Sequence, residues 1–293
     1  MFEKLFRLSN IGTMIFFTLN FSLLLILFSP YSFTTEGFMT MLFIYVLSIL
    51  FSCSFAGEKF LAILIGAKEI RRTDVKIKII PLVEVVYNKA KKETPDIVGS
   101  IHLMVIPEDG VNAFTLGKRT ICVTEGLLRL PDDLIMGALA HEIGHVANRH
   151  TEIQILIGGA NLLISGFLLI LKAVSWIIAG IAGIFTLRSR RLSTRCLFSL
   201  VGGLSLLITF GWIKFCNLFL MWSARQNEYV ADEYAYKIGF GKELAVVLDR
   251  FRNQPIRGII RALETTHPST DERIARLQML GVPYSRWSSN VYV

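Results

Sequence analysis

HEIGHVANRH, residues 141 to 150, places three of the chain's five histidines within ten positions, beside a glutamate and inside an otherwise apolar run. On a helix of about 100° per residue, positions four apart differ by about 40°, so His141 and His145 project from one face and can grip one ion. Glu142 stands about 100° further round the same helix and can lean over that ion without binding it. His150 follows His141 by nine positions, about 180° away if the helix continues, which makes it a surface or supporting residue and not a ligand. The longer stretch LPDDLIMGALAHEIGHVANRH reads as one helix. Pro131, Asp132 and Asp133 form its first turn, where proline is tolerated and acidic charge is favoured.

H-E-x-x-H on a helix is the pattern in which two imidazoles hold Zn²⁺ and the carboxylate takes a proton from water. The longer pattern H-E-x-x-H-x-x-G-x-x-H fails, because Asn148 stands where glycine is needed and Thr151 where the last histidine is needed. A catalytic zinc usually has three protein ligands, so one must come from elsewhere. His102 and His267 remain, but NEYVADEYA offers an acidic candidate. Glu228 and Asp232, four apart, share a helix face, so Glu228 can coordinate while Asp232 hydrogen-bonds a ligand imidazole. The same spacing alone also fits a solvated helix face; its partnership with H-E-x-x-H favours the ligand.

The surroundings are those of a membrane protein with a polar portion. The 293 residues are 53% hydrophobic with 21 Phe, and mean hydropathy is +0.52, above the about 45–50% apolar usage of soluble domains. Ile11 to Phe28 and Phe38 to Ala56 carry no charge and read as a transmembrane hairpin. The net charge of +8 comes mostly from Lys and Arg flanking apolar runs, which argues for membrane topology and against nucleic acid. Lys4 and Arg7 before the hairpin, and Lys59, Lys68, Arg71, Arg72 and Lys76 after it, place both flanks in the cytoplasm. Cys53, Cys122, Cys196 and Cys216 are scattered and suggest neither a disulfide framework nor a cysteine metal site.

Two further apolar stretches, 155–185 and 197–221, lie between His145 and Glu228. Ligands of one ion must meet on one side of a bilayer, and two crossings satisfy that parity. The link between them carries Arg188, Arg190, Arg191 and Arg195, which opposes the positive-inside rule and leaves open that neither segment crosses fully. Lys172 and Lys214 within them are read as snorkelling to an interface. PLVEVVYNKAKKET reads as a short amphipathic helix, SIHLMVIPE as a strand, and VNAFTLGKRTICVT as two strands turning at Gly117-Lys118. The expected layout is a hairpin over 1–58, catalytic parts over 59–153 and 222–293, and two hydrophobic helices over 154–221 between them. The fold class is α+β, mainly α, with membrane-embedded helices and a small antiparallel sheet.

HEIGH, NEYVAD and THPSTDERI, in that order and with a hydrophobic pair between the first two, resemble the HtpX-type membrane zinc endopeptidases. These are gluzincins, a family that also includes the CAAX prenyl endopeptidases. The resemblance implies one Zn²⁺ per chain held by His141, His145 and Glu228, with Glu142 as general base and Asp232 behind a ligand. His267 matches a family histidine that stabilises the transition state, and Arg273 a further motif position. Asn112, Ala113 and Phe114 resemble the stretch whose edge strand receives substrate. It further implies a polypeptide substrate, itself a membrane protein under quality control and stress response. The setting is a multi-pass protein in the lipid bilayer of a bacterial inner membrane, with its catalytic domain facing the cytoplasm. Many members read HEISHVxNGD, against Gly144 and Arg149-His150 here. Two alternatives stay open: a processing protease for one defined substrate such as a prenylated peptide, and a non-enzymatic membrane scaffold or transporter whose histidines merely pack.

Overall fold

The computed structural model describes residues 11–97, 99–150, 225–251 and 268–285, with a few scattered positions between 163 and 211. His267, Cys196, Cys216, Lys172, Lys214 and almost all of 155–185 and 197–221 lie outside the described residues. The chain divides into two compact units, one of Met1–Leu5, Phe51–Leu156 and Ser223–Val293, the other of Phe6–Leu50 and Ile157–Trp222.

In the second unit, helix α1 (Ile11–Leu27) and helix α2 (Thr35–Ser52) flank a 3₁₀ turn at Tyr31–Phe33. Phe16 and Leu24 of α1 pack with Met41 and Tyr45 of α2 and with Ile164. The Tyr45 hydroxyl donates to the Phe17 carbonyl at 3.4 Å. Phe43, Leu47 and Leu50 point outward and are exposed. α2 spans 18 residues with a hydropathy of 1.6 and, among the described residues, is the one helix long and apolar enough to cross a membrane. α1 is apolar but has 17 residues.

The second apolar run does not extend to Ala56 as a single helix. It breaks at Cys53-Ser54, and helix α3 (Phe55–Leu64) begins afresh. Ser54 accepts a hydrogen bond from the Gly57 amide at 3.2 Å, which satisfies a donor that the new helix would otherwise leave unpaired. Hydropathy alone passes straight through this cap.

The first unit contains a sheet of β1 (Lys68–Glu69), β2 (His102–Ile106), β3 (Ala113–Leu116) and β4 (Thr120–Thr124), ordered β1-β2-β4-β3. β3 and β4 form the expected antiparallel hairpin, turning where Gly117 adopts φ 79. β2 pairs parallel with β4, so the sheet is mixed and not purely antiparallel. This order leaves β3 on one edge.

Helix α4 (Thr73–Glu93) is longer than the expected segment from Pro81 and runs through that proline. Ile79, Val83, Val86 and Ala90 form its buried stripe, and the Lys78 ammonium donates to the Leu128 and Leu130 carbonyls at 2.7 and 3.0 Å. Tertiary burial thus carries the helix across a residue that usually marks a start. The short helix α5 (Glu125–Leu128) leads into α6 (Asp132–Asn148). All of α6 from Leu134 to Ala147 is buried except Met136, the mark of a central core helix.

Around α6 pack α4, helix α7 (described over 225–237) and α8 (Gly241–Arg250), while α9 (Thr270–Met279) lies against α8. Ile79, Ile121, Leu127, Ile135, Leu139, Ile143 and Leu277 are the large fully buried side chains of this core. Two glycines on α6 permit the approach. A Cβ at Gly137 would lie 2.7 Å from the backbone of Glu243 and Leu244, and one at Gly144 would lie 3.0 Å from the Ala231 carbonyl oxygen. Gly144 therefore brings α7, with Glu228 and Asp232, against the H-E-x-x-H turn.

Candidate active site

His141, Glu142 and His145 lie on α6 and are 7, 6 and 7% exposed. Glu228 and Asp232 project from α7, whose buried positions Asn227, Glu228, Ala231, Asp232 and Ala235 make one stripe. The Nε2 atoms of His141 and His145 are 3.2 Å apart. Glu228 places Oε2 3.3 Å from His141 Nε2 and Oε1 3.3 Å from His145 Nε2. These three side chains can hold a metal ion.

The geometry fits a small divalent ion. Ligands about 2.0–2.1 Å from a tetrahedral centre stand roughly 3.3 Å from one another, which is the spacing found. The chemistry fits as well. Asp232 Oδ1 lies 2.9 Å from His141 Nδ1 and His150 Nδ1 lies 3.1 Å from His145 Nδ1. With a proton in each of those contacts, both Nε2 atoms turn lone pairs toward each other and toward a carboxylate. Such a cluster needs positive charge at its centre. Without a metal a proton supplies it: burial and the charge of Arg273 push the His141 imidazole down, but its hydrogen bonds to Asp232 and Glu228 and the Glu228 charge outweigh them, raising it to about 10.

Arg273 comes from α9, whose N-terminus is capped by Ser269 accepting from the Glu272 amide at 3.3 Å. Its guanidinium grips Asp232 through two bonds, Nε to Oδ2 at 2.8 Å and Nη2 to Oδ1 at 2.6 Å, and its Nη1 lies 3.3 Å from Glu228 Oε2. Burial opposes ionisation of Asp232, yet the Arg273 charge and hydrogen bonds, with those of His141, hold its carboxyl down at about 2. Glu142, Glu228 and Asp232 against Arg273 leave a formal −2 in the pocket, the complement of a divalent cation.

Glu142 faces the sheet. The Thr115 hydroxyl of β3 lies 2.8 Å from Glu142 Oε2, to which it donates, and 3.2 Å from the Glu142 carbonyl. Asn112 precedes β3, with its amide and carbonyl both bonded to Thr124 at the end of β4. Ala113 and Phe114 are half-buried on the edge strand. Cys122 on β4 is fully buried; burial, then the charges of Glu142 and Glu58, push its thiol up to about 12 and keep it protonated.

The four residues expected at the ion and its base, and Asp232 behind them, are therefore brought together. His102 is exposed on β2 and is not one of the three side chains whose ligand atoms converge. His150 is a supporting residue and not a ligand, as one of the two expected readings has it, but it arrives there by an unexpected route. The helix does not continue to it, because Arg149 adopts φ 59, ψ 28, and the reversal buries His150 to 5% exposure against His145. Thr115 and the Arg273–Asp232 grip were not apparent from spacing, since both depend on long-range packing.

A buried two-histidine, one-glutamate centre on an H-E-x-x-H helix defines a metallopeptidase arrangement, and the comparisons with known proteins agree. The chain belongs to peptidase family M48, whose model matches residues 80–280. It is 34% identical over 186 residues to a protein named Protease HtpX homolog from Neisseria meningitidis, covering 58% of this chain and 62% of that one. A protein of the same name from Acaryochloris marina is 32% identical over 207 residues, 61% of this chain and 65% of the other. The matched stretch thus spans less than two thirds of these relatives' length. The crystal structure of S. mikatae Ste24p is similar at 17% identity and a TM-score of 0.47, over 88% of this chain and 61% of that one.

Proposed function

We propose that the chain is a membrane-integral, zinc-dependent endopeptidase acting in quality control of misfolded membrane proteins. The observation that carries it is the triangle of His141 Nε2, His145 Nε2 and Glu228 carboxylate oxygens, with sides of 3.2 and 3.3 Å. His141, His145 and Glu228 would hold one zinc. When bound, zinc supplies Lewis acidity that lowers the pKa of a coordinated water.

The chain's own residues supply the rest. Glu142 takes the proton from the attacking water and carries it to the leaving amine nitrogen. The Thr115 hydroxyl holds that carboxylate in orientation. His267 is assigned to oxyanion stabilisation on sequence grounds. Asp232 fixes the His141 tautomer and is itself fixed by Arg273. An extended polypeptide pairs with the outer edge of β3 by main-chain hydrogen bonds along Asn112, Ala113 and Phe114, Asn112 contributing its side chain because its amide and carbonyl are engaged by Thr124.

In this reading residues 1–58 anchor the chain and the catalytic domain is assembled from 59–153 and 222–293, facing the cytoplasm of a bacterial inner membrane. The apolar segments within 154–221 complete a multi-pass topology. The test is zinc content together with cleavage of an unfolded reporter in wild type, Glu142→Gln and Glu228→Ala. Zinc retained but cleavage lost in the first variant, and both lost in the second, is the expected result. Cleavage that persists in Glu142→Gln rejects the mechanism. A panel of unrelated unfolded reporters tests the quality-control role, because a protease dedicated to one substrate leaves most of them intact.

A further inference from the structure

The two imidazoles at the candidate ion are supported by different partners. His141 Nδ1 meets the Asp232 carboxylate at 2.9 Å, whereas His145 Nδ1 meets the Nδ1 of another histidine, His150, at 3.1 Å. Two ring nitrogens at that distance share one proton, so one is donor and the other acceptor. His145 Nε2 is the atom turned toward His141 Nε2 and Glu228. A neutral imidazole that offers Nε2 to a cation carries its proton on Nδ1. The proton between the rings is thus His145's, and His150 accepts it with its own proton on Nε2.

The backbone is bent to make this contact. Of the described residues with positive φ, Arg149 is the one that is not glycine, and an L side chain rarely adopts that conformation. The turn closes well: the Arg149 amide donates to the last helical carbonyls, and the Asn148 side-chain amide donates to the Gly144 carbonyl at 2.9 Å. Its effect is to swing His150 from the far side of the helix onto His145, with ring centroids 5.3 Å apart and planes at 69°. His150 is not one of the three side chains whose ligand atoms converge.

We propose that His150 is a positioning residue for the metal centre: its Nδ1 accepts the Nδ1–H of His145 and so turns the His145 Nε2 lone pair toward the ion. This rests on the metal-binding reading of His141, His145 and Glu228. Because the acceptor is a neutral ring, it orients the ligand without adding a fourth carboxylate to a pocket whose formal charge already matches a divalent ion.

The test is zinc affinity of the full chain in detergent, by competition with a chromophoric chelator, alongside kcat and KM on an unfolded reporter. His150→Leu removes the acceptor and weakens zinc binding about 10- to 100-fold, lowering kcat with KM unchanged. His150→Asn places an amide oxygen where Nδ1 stood and restores affinity to within a few-fold of wild type. His150→Gln, whose oxygen sits one bond further out, does not. Metal-free thermal melts show whether the leucine variant folds, and if it does not, the asparagine–glutamine contrast decides. Wild-type affinity in His150→Leu, or equal affinity in the two amide variants, overturns the proposal. If wild type and His145→Ala alike bind no zinc, the metal reading itself fails; if His145→Ala loses zinc but the His150 variants do not, only the role of His150 fails.

Discussion

The two sides of α6 follow opposite plans. Toward α7 and α9, His141, His145, Glu228, Asp232 and Arg273 are all under 9% exposed and bound to one another by charged or imidazole contacts. Toward β3, Glu142 meets a strand whose first three residues are half-buried, through the hydroxyl of Thr115. In the function proposed above, an ion demands ligands fixed before it arrives, whereas a polypeptide must enter, be cut and leave. Rigidity is concentrated where the bite is small, and access where the substrate is large.

That contrast can be broken most severely at Glu228. Glu228→Ala removes a ligand and leaves Arg273 with one carboxylate fewer, so metal content by atomic emission and peptide cleavage both fall to background. Glu142→Gln separates the sides: metal content stays at the wild-type level while kcat drops about 10²- to 10⁴-fold. Asp232→Asn weakens the support of His141 and removes the closer of the two carboxylates that hold the buried Arg273 guanidinium. We expect about 10- to 100-fold lower metal affinity and a loss of about 3–5 kcal/mol in metal-free unfolding experiments.

Acidity sharpens the same comparison. The folded, metal-free His141 holds its proton up to about pH 10, so metal binding near neutral pH must expel it. Calorimetry in buffers of different ionisation enthalpy is expected to register proton release at pH 7, with affinity weakening further as pH falls. Asp232 behaves in the opposite sense. Its carboxyl is held at about 2, below the about 3.9 of an unfolded aspartate, so the stability it contributes is intact above that range and is lost as pH falls through 2. The smallest effect belongs to the substrate side: Thr115→Val lowers kcat about tenfold, the equivalent of roughly 1.4 kcal/mol, with metal affinity unchanged.

The candidate ion-binding side is the more legible in the sequence. Helical periodicity pairs His141 with His145 and Glu228 with Asp232, and no long-range knowledge is needed for either pair. Periodicity failed at His150 because it assumes that a helix continues, and nothing in Asn148-Arg149 announces a left-handed residue as a glycine would have done. It failed at Pro81 for the opposite reason, since the buried stripe of Ile79, Val83 and Val86 sustains α4 where local preference would start it. The hairpin of β3 and β4 follows from alternation and Gly117, but the parallel pairing of β2 with β4 joins residues nearly twenty apart and has no local signature. The end of the second apolar run was misplaced because hydropathy weighs Ser54 lightly, while its side chain caps α3.

Gly144 illustrates how a departure from the common family pattern acquires a physical meaning. The site tolerates an added methyl group only if Ala231 and Tyr234 yield, at distances of 3.0 to 3.2 Å. Gly144→Ala is therefore expected to cost about 1–3 kcal/mol of stability, read from thermal melts, with a lesser loss of metal affinity.

In the function proposed above, the edge position of β3 bears on what the enzyme would accept. A ledge of peptide groups recognises the part of a polypeptide that all polypeptides share, and it is blind to the order of side chains. Admission then depends on shape: a chain drawn out in single file can lie along it, while one whose amides are already engaged in its own folds cannot. Selectivity of that kind grades proteins by their failure to fold.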